Sequence, residues 1–319
     1  MTALLDVAVV SHRCRDLLQR CLTSIEEHAP PGTTTWVVDN ASNDGTVGLV
    51  QERFPAVRLI ANDRNVGFAA ATNAAIREGA APYVLALNPD AELRARTLDV
   101  LLELMRERPD VGIAGCRLER LDGTFDHASR RSFPTILAAL SHLSGIGRRA
   151  AGGPLAQYRA PGVERGPVDA VNGAFMLLRR SALEEVGLFD ERYWMYMEDM
   201  DLSYRFKEAG WITWYEPSVT ALHVKHGTSG QVRGMALTVA FYRGMARFVV
   251  AHPATVPNPA KRILVLVGIT CVGAFATARA AARSAIEAAR RHRHTDTTVS
   301  PASGVVRDVR AGPTSSELN

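Results

Sequence analysis

Between Asp6 and Leu118 the sequence switches repeatedly between short apolar runs and amphipathic stretches, and this alternation admits few architectures. Val7-Ala8-Val9-Val10, Trp36-Val37-Val38, Val57-Arg58-Leu59-Ile60, Tyr83-Val84-Leu85-Ala86-Leu87 and Gly112-Ile113-Ala114-Gly115 are brief, β-branched in part and closed by polar residues. Those traits predict buried strands rather than helices. Helical spacing fills the gaps: from Leu17 to Glu27, apolar residues recur at Leu17, Leu18, Cys21, Leu22 and Ile25. Alternating strands and helices predict an α/β fold with a mostly parallel, doubly wound sheet flanked by helices. Ligands bind such sheets at the carboxyl ends of the strands, so the residues just after each run carry the functional reading.

The section from Phe133 to Pro167 is broken by Gly145, Gly147, Gly152, Gly153, Pro154 and Pro161, and predicts a loop excursion with a mobile part. A second ordered block follows, with Val168 to Arg180, a helix from about Glu198 to Ala209, a strand over Trp211 to Tyr215, and Ser218 to His226. Helices are expected over Met235 to Ala251 and about Pro259 to Arg291, as a C-terminal helical extension. The Thr-, Ser-, Gly- and Pro-rich tail predicts disorder. The resulting division is an α/β domain over 1–230, with halves of about 1–120 and 121–230, a helical region over 231–293 and a tail over 294–319.

Composition sets limits on partners. With 47% hydrophobic and 22% charged residues the chain can bury a sizeable core. The formal charge of +4 is modest, and much of the excess is local, at Arg279, Arg283, Arg290, Arg291 and Arg293, which argues against a nucleic-acid partner. Cys14, Cys21, Cys116 and Cys271 form neither a metal-type pair nor a disulfide framework, and predict reduced thiols in a cytoplasmic setting. The N-terminus enters an apolar run without a basic n-region or cleavage site, so no signal peptide is expected.

The first run ends in Ser11-His12 and the second in Asp39-Asn40-Ala41-Ser42-Asn43-Asp44-Gly45. An acid at a strand's carboxyl end can accept hydrogen bonds from a base or ribose, which assigns Asp39 to a nucleoside. Asn43 to Thr46 reads as an Asx-turn and helix start. Neither G-x-x-x-x-G-K-[ST] nor G-x-G-x-x-G follows a strand, so a bound diphosphate must be neutralised some other way. In Asn65-Val66-Gly67-Phe68-Ala69-Ala70-Ala71-Thr72-Asn73, Gly67 permits close approach of a backbone or a ligand. Tight helix–sheet packing accounts for the alanines, whereas Asn65 and Asn73 require specific partners.

The fourth run leads into Asn88-Pro89-Asp90, where the proline biases Asn88 toward extended geometry. Two oxygen ligands there suit a hard divalent cation that completes its shell with phosphates and water; a plain turn is the alternative. His223, Lys225 and His226 offer a third metal ligand or a phosphate contact, with His223 pointing inward if the strand alternates. An aromatic and sulfur-rich turn, Phe189 to Met197, runs into Glu198, Asp199 and Asp201 at a helix start. Apolar bulk raises a carboxyl's pKa and a helix N-terminus lowers it, so such an acid can be tuned as a base. Simple complementation of the helix dipole is the competing reading.

Taken together, Val38-Asp39-Asn40-Ala41-Ser42, Asn65-Val66-Gly67-Phe68, Leu87-Asn88-Pro89-Asp90, Asn172-Gly173-Ala174-Phe175-Met176-Leu177 and Phe189 to Leu202 resemble the family 2 inverting glycosyltransferases of the GT-A fold. The resemblance runs over roughly Val7 to Gly230 and points in particular to the bacterial rhamnosyltransferase-like branch, which builds cell-surface glycans. That family usually carries Asp-x-Asp where this chain has Asn88-Pro89-Asp90, a variant its rhamnosyltransferase-like branch shares. The resemblance implies that Asp39 and Asn65 contact the nucleoside, with Ser11, Gly67 and Asn88 also at the donor. Asp90, with His223, would reach an Mg²⁺ or Mn²⁺ ion bridging the diphosphate. Gly173 and Ala174 would floor the sugar pocket, Trp194 and Asp201 would meet the acceptor, and Asp199, beside Glu198, would be the base. The implied reaction is a single displacement from a nucleoside-diphosphate sugar, dTDP-rhamnose foremost, to a glycan or lipid-linked acceptor.

Two other classes remain open on the residues alone. A nucleotidyltransferase-type enzyme would want a basic, Gly-rich loop near the N-terminus, of which Ser11-His12-Arg13-Cys14-Arg15 is a poor version. A catalytically inactive sugar-nucleotide-binding protein would have no need of intact Asp90 and Asp199. At the other end, the uncharged run Ile263 to Ala278 is shorter than the roughly 20 residues that span a bilayer. Followed by arginines, it predicts an interfacial helix at the inner face of the plasma membrane; a core helix or a homodimer contact is the alternative.

Overall fold

The computed structural model describes residues 3–133, 163–224 and 234–296. The expected loop excursion, Lys225, His226 and the tail from 297 lie largely or wholly outside these residues, as do the side chains of Arg290, Arg291 and Arg293. The apolar runs form strands β1 (Leu5–Ser11), β2 (Thr33–Asn40), β3 (Arg58–Asn62), β4 (Tyr83–Leu87) and β6 (Val111–Glu119), with the short β5 (Ala91–Glu92) after β4. Helices α1 (Arg15–His28), α2 (Thr46–Arg53), α3 (Phe68–Glu78) and α4 (Thr97–Glu107) connect them. Then follow β7 (Arg130–Arg131), β8 (Gly166–Val168), β9 (Ala170–Val171), β10 (Phe175–Arg179), α5 (Arg180–Val186), α6 (Glu198–Glu208), β11 (Ile212–His223), α7 (Met235–Ala251) and α8 (Pro259–Asp296).

The central sheet has the order β3-β2-β1-β4-β10-β6-β11-β5, and β8 adds to β11. Pairs β1–β2, β1–β4, β2–β3 and β6–β11 are parallel. Strand β10 lies antiparallel between β4 and β6, so the fifth apolar run does not neighbour the fourth. Strand alternation sends Val7, Val9, Leu85, Leu87 and Leu177 to one face, against α1 and α4. Ala8, Val10, Val84, Ala86, Met176 and Leu178 go to the other, under α3, α5 and α6. Helices α1 to α6 bury their apolar stripes on these faces, whereas α7 and α8 pack in a separate cluster with Tyr193, Met197 and Met200.

The antiparallel insertion is what assembles the site. Because β10 opposes its neighbours, its first residue, Phe175, pairs with the last residue of β4, Leu87. Asn172 to Ala174 therefore arrive at the same sheet edge as the carboxyl ends of β1, β2 and β4. Strand β11 absorbs two expected segments, with a register shift between Glu216 and Thr220, and carries His223 to the same edge opposite Ala91. Strand order reverses direction of growth at β1, the switch point where α/β sheets open a crevice.

Candidate active site

Ser11 and Asp39 are register partners at the ends of β1 and β2, and both are buried. The Ser11 hydroxyl lies 3.4 Å from the Cys14 sulfur inside the protein, so it braces the first turn rather than facing the crevice. One Asp39 oxygen accepts from the Ser42 amide at 2.9 Å; the other, Oδ1, is buried with no partner among the described residues. A buried carboxylate oxygen left unpartnered is costly unless a ligand or solvent donor meets it. Asp44 accepts from the Thr46 amide and hydroxyl at 3.2 and 2.6 Å, which makes Asn43 to Thr46 the turn expected from its composition.

The Asn65 side chain accepts from the Gly67 amide at 2.9 Å and so shapes its own turn. Gly67 has φ +92°, and a Cβ there would come within 2.4 Å of the Trp194 carbonyl oxygen. That oxygen accepts from the Phe68 amide at 2.8 Å. The close approach anticipated at Gly67 is thus to the Trp194 backbone, which straps the second half of the chain onto the start of α3. Asn73 holds the same segment: its amide donates to the Phe189 carbonyl at 2.8 Å and its oxygen accepts from the Phe189 amide at 3.1 Å.

At the end of β4, the Asn88 amide donates to the Ala174 carbonyl at 3.0 Å, joining the Asn88-Pro89-Asp90 and Asn172-Gly173-Ala174 segments directly. Asp90 is buried, and its Oδ1 lies 3.7 Å from His223 Nε2. The other imidazole nitrogen, Nδ1, lies 3.3 Å from Asp126 Oδ2. A carboxylate behind a histidine fixes its tautomer and aims its free nitrogen, the arrangement found behind metal-binding histidines. Asp126, fully buried, escaped the sequence reading because it sits in a short turn with no periodic signal. Among the described residues no three His, Cys, Asp or Glu side chains converge as a ready-made cation site.

Asp199 reaches this edge from the first turn of α6. Its Oδ2 accepts from the Gly173 amide at 3.0 Å and from Arg131, and its Oδ1 accepts from the Met200 amide at 2.8 Å. A Cβ on Gly173 would meet Asp199 Oδ2 at 3.1 Å, so the small residue leaves room for the carboxylate itself. Arg131 also donates to the Val171 carbonyl at 2.7 Å. It went unrecognised in the sequence because Arg130-Arg131 reads as an ordinary surface pair. Glu198 differs from its neighbour: it is buried, its Oε2 has no partner among the described residues, and its pKa is pushed up to about 8, first by desolvation and then by repulsion from Asp199. Environments that separate two adjacent carboxyls leave one protonated and the other charged. Asp199, by contrast, accepts from three donors.

Asp201 departs from expectation. Its carboxylate is buried and committed to Tyr193 Oη at 3.3 Å, His252 Nε2 at 2.7 Å and Arg205 Nε at 2.8 Å. With its oxygens occupied by scaffold partners, it braces α6 from behind rather than meeting an acceptor. Trp194, 37% exposed, stands at the open side of the turn.

A family model described as "Glycosyl transferase family 2" matches residues 6–187, more than half of the chain. The chain belongs to glycosyl transferase family 2. As a member, it is a glycosyltransferase, and its mixed α/β sheet flanked by helices has the GT-A fold. It is 33% identical over 251 residues to the N-acetylglucosaminyl-diphospho-decaprenol L-rhamnosyltransferase of Mycobacterium tuberculosis, covering 72% of this chain and 79% of that protein. It is 30% identical over 145 residues to the rhamnosyltransferase WbbL of Escherichia coli strain K12, covering 45% of this chain and 53% of WbbL. Among solved structures, the mannosyltransferase PcManGT of Pyrobaculum calidifontis, in complex with GDP-Man and Mn²⁺, aligns with a TM-score of 0.54 at 19% identity, over 91% of this chain and 76% of that one. GalNAc-T7 with UDP, GalNAc and Mn²⁺ aligns with a TM-score of 0.55 at 13% identity, over 81% and 52%. The family match ends before α6, so Glu198 and Asp199 of this glycosyltransferase rest on their own geometry.

Proposed function

We propose that this glycosyltransferase moves rhamnose from dTDP-rhamnose, with inversion, onto a hydroxyl of a lipid-linked or cell-surface glycan acceptor. The observation that carries the reading is the Asp199 carboxylate touching the Gly173 amide beside the Asn88–Ala174 junction, which sets a base against the donor end of the sheet. The mycobacterial relative, named for rhamnosyl transfer to a diphospho-decaprenol acceptor, supports both the sugar and the acceptor class.

In this mechanism Asp39 Oδ1 accepts from the nucleoside, and the Asn65–Gly67 turn borders it. Asp90 and His223, 3.7 Å apart, fit as two protein ligands of one Mg²⁺ or Mn²⁺ ion that takes its other ligands from phosphates and water. Such an ion, when bound, offsets charge on the diphosphate. Gly173 and Ala174 serve the sugar end of the site only indirectly: the missing side chain of Gly173 admits the Asp199 carboxylate, and Ala174 is buried in the core beneath it. Asp199 removes the proton from the acceptor hydroxyl, whose oxygen forms the new bond to the anomeric carbon as the bond to the diphosphate breaks. One base and one displacement invert the centre. Arg131 steadies Asp199 for that step. Turnover of a panel of nucleotide-activated sugars with a polyprenyl-diphosphate-linked acceptor tests the reading; dTDP-rhamnose is expected to be used, and transfer from none of them would overturn it.

Asp90→Ala is expected to weaken donor binding as well as turnover, and chelation is expected to do the same. Titrating the donor nucleotide by calorimetry with and without Mn²⁺ checks this: the native protein should gain affinity with the ion and Asp90→Ala should not. His223→Ala should share the defect in milder form. Full activity in excess chelator would remove the metal from the account.

The C-terminal helix supports a membrane-surface location. Helix α8 runs past the uncharged stretch, and its segment Pro259–Ile286, 28 residues, is long and apolar enough to cross a membrane by length and composition. Val265 and Ile269 pack toward α7, whereas Ile263, Leu264, Val267, Phe275 and Ile286 are exposed. Lys261, Arg262, Arg279 and Arg283 bracket that apolar face. An apolar face bounded by cations suits anionic lipid. A chain ending at Pro257 is therefore expected to keep donor binding, to lose co-sedimentation with anionic vesicles and to use a lipid-linked acceptor poorly. Binding of the full chain should fall as salt rises. A full chain that ignores anionic vesicles would assign α8 to the fold or to a dimer.

A further inference from the structure

The two residues before the Glu198–Asp199 pair hold a conformation that their own chemistry disfavours. Tyr196 and Met197 have φ of +70° and +73°, consecutive left-handed residues with bulky side chains. Such backbone persists only where its surroundings over-determine it. What surrounds it is α7, which lies beyond both the family match and the expected catalytic half.

Gly244 on α7 faces the turn so closely that a Cβ would sit 2.9 Å from the Tyr196 carbonyl oxygen and 3.3 Å from Met197 Cβ. One helical turn before it, the Phe241 ring meets the Tyr196 ring edge-on at 5.9 Å. Met245, Phe248 and Val249 bury Met197 and Met200 in one cluster. Arg247 lies over the Tyr193 ring, 5.7 Å from its centre. At the end of α7, His252 Nε2 meets Asp201 Oδ1 at 2.7 Å, two residues beyond the base in the first turn of α6. These contacts fix the strained turn from outside and the first turn of α6 from behind.

We propose that α7 is a positioning element for the Glu198–Asp199 turn, with Gly244 setting the distance and His252 setting the register of α6 through Asp201. This inference rests on the proposed role of Asp199. Gly244 and His252 touch no reacting atom; they act by holding the residues that do. A misplacement of the base by a fraction of an ångström to an ångström is enough to slow transfer, since reacting groups must meet within a narrow geometry.

The test compares Gly244→Ala, His252→Leu and His252→Gln in the full chain. Gly244→Ala and His252→Leu are expected to lower kcat on the order of tenfold to a hundredfold with donor-nucleotide affinity nearly unchanged. His252→Gln, which retains a donor toward Asp201, is expected to recover much of the loss. In Gly244→Ala, hydrogen exchange should quicken at the amides of residues 196–201 and stay native across β1 to β4. Native kcat in Gly244→Ala would overturn the proposal. So would parallel loss of kcat and donor affinity, or a Gln variant no better than Leu. Should the native enzyme transfer no sugar at all, the functional reading fails instead; the exchange measurement then decides this proposal alone, and unchanged exchange at 196–201 overturns it.

Discussion

Asp199→Asn is expected to lower sugar transfer by about 10² to 10⁴ while leaving nucleotide affinity nearly unchanged, the range typical for loss of a general base. The substitution keeps the shape of the side chain. Its amide oxygen can still accept from one of the two backbone amides, Gly173 or Met200, which now hold separate carboxylate oxygens at 3.0 and 2.8 Å, while its NH2 group stands against the other. What it cannot do is take a proton. The donor contacts proposed for Asp39 and Asp90 come from other strands, so binding has no reason to change. Single-turnover transfer and a nucleotide titration on the same preparation separate the two quantities. Near-native turnover would remove Asp199 from the role of base and leave it as a partner for Arg131.

Glu198→Gln is expected to stabilise the protein in mildly alkaline solution. In the folded chain burial and the Asp199 charge push the Glu198 pKa up to about 8 from an ordinary 4.5, so the folded state retains a proton that the unfolded state releases between those values. Stability attributable to this group therefore falls as pH rises from about 4.5 toward about 8, the reverse of a salt-bridged carboxylate. The folded state must hold that proton against release or bury an unpaired charge, so the native residue is most destabilising at the alkaline end of this range. Glutamine is neutral at every pH and avoids that cost. Urea unfolding at pH 5 and pH 8 should show the variant ahead of the native chain by a margin that widens with pH. An equal margin at both would mean that Glu198 is not held neutral by its surroundings.

The strands, their helices and the edge where function gathers were legible in the sequence because each rests on a local pattern. Alternation and brevity marked β1 to β4, and the helix over Met235–Ala251 followed from its apolar spacing. Position after a strand singled out Asp39, Asn88 and Asp90, all of which reach the expected edge. The long-range features were not legible. Nothing local in Phe175–Arg179 announces a strand that inserts antiparallel between β4 and β6, since that depends on which partners remain unpaired once the chain has turned back. Arg131 and Asp126 gain their meaning only from Asp199 and His223, 68 and 97 residues away. Asp201 shows the opposite failure: an acid in a first helical turn looks available, and only its contacts with Tyr193, Arg205 and His252 reveal that it is spent on the scaffold.

The central claim, a single displacement driven by one base, is tested most directly by the anomeric configuration of the product. The measurement is the one-bond carbon–hydrogen coupling at the anomeric centre of the transferred sugar, read by NMR and compared with that of the donor. With dTDP-rhamnose as donor, the account predicts a product of opposite anomeric configuration. A product that retains the configuration of the donor would contradict it, because retention requires a second displacement or a front-face path that Asp199 alone does not supply.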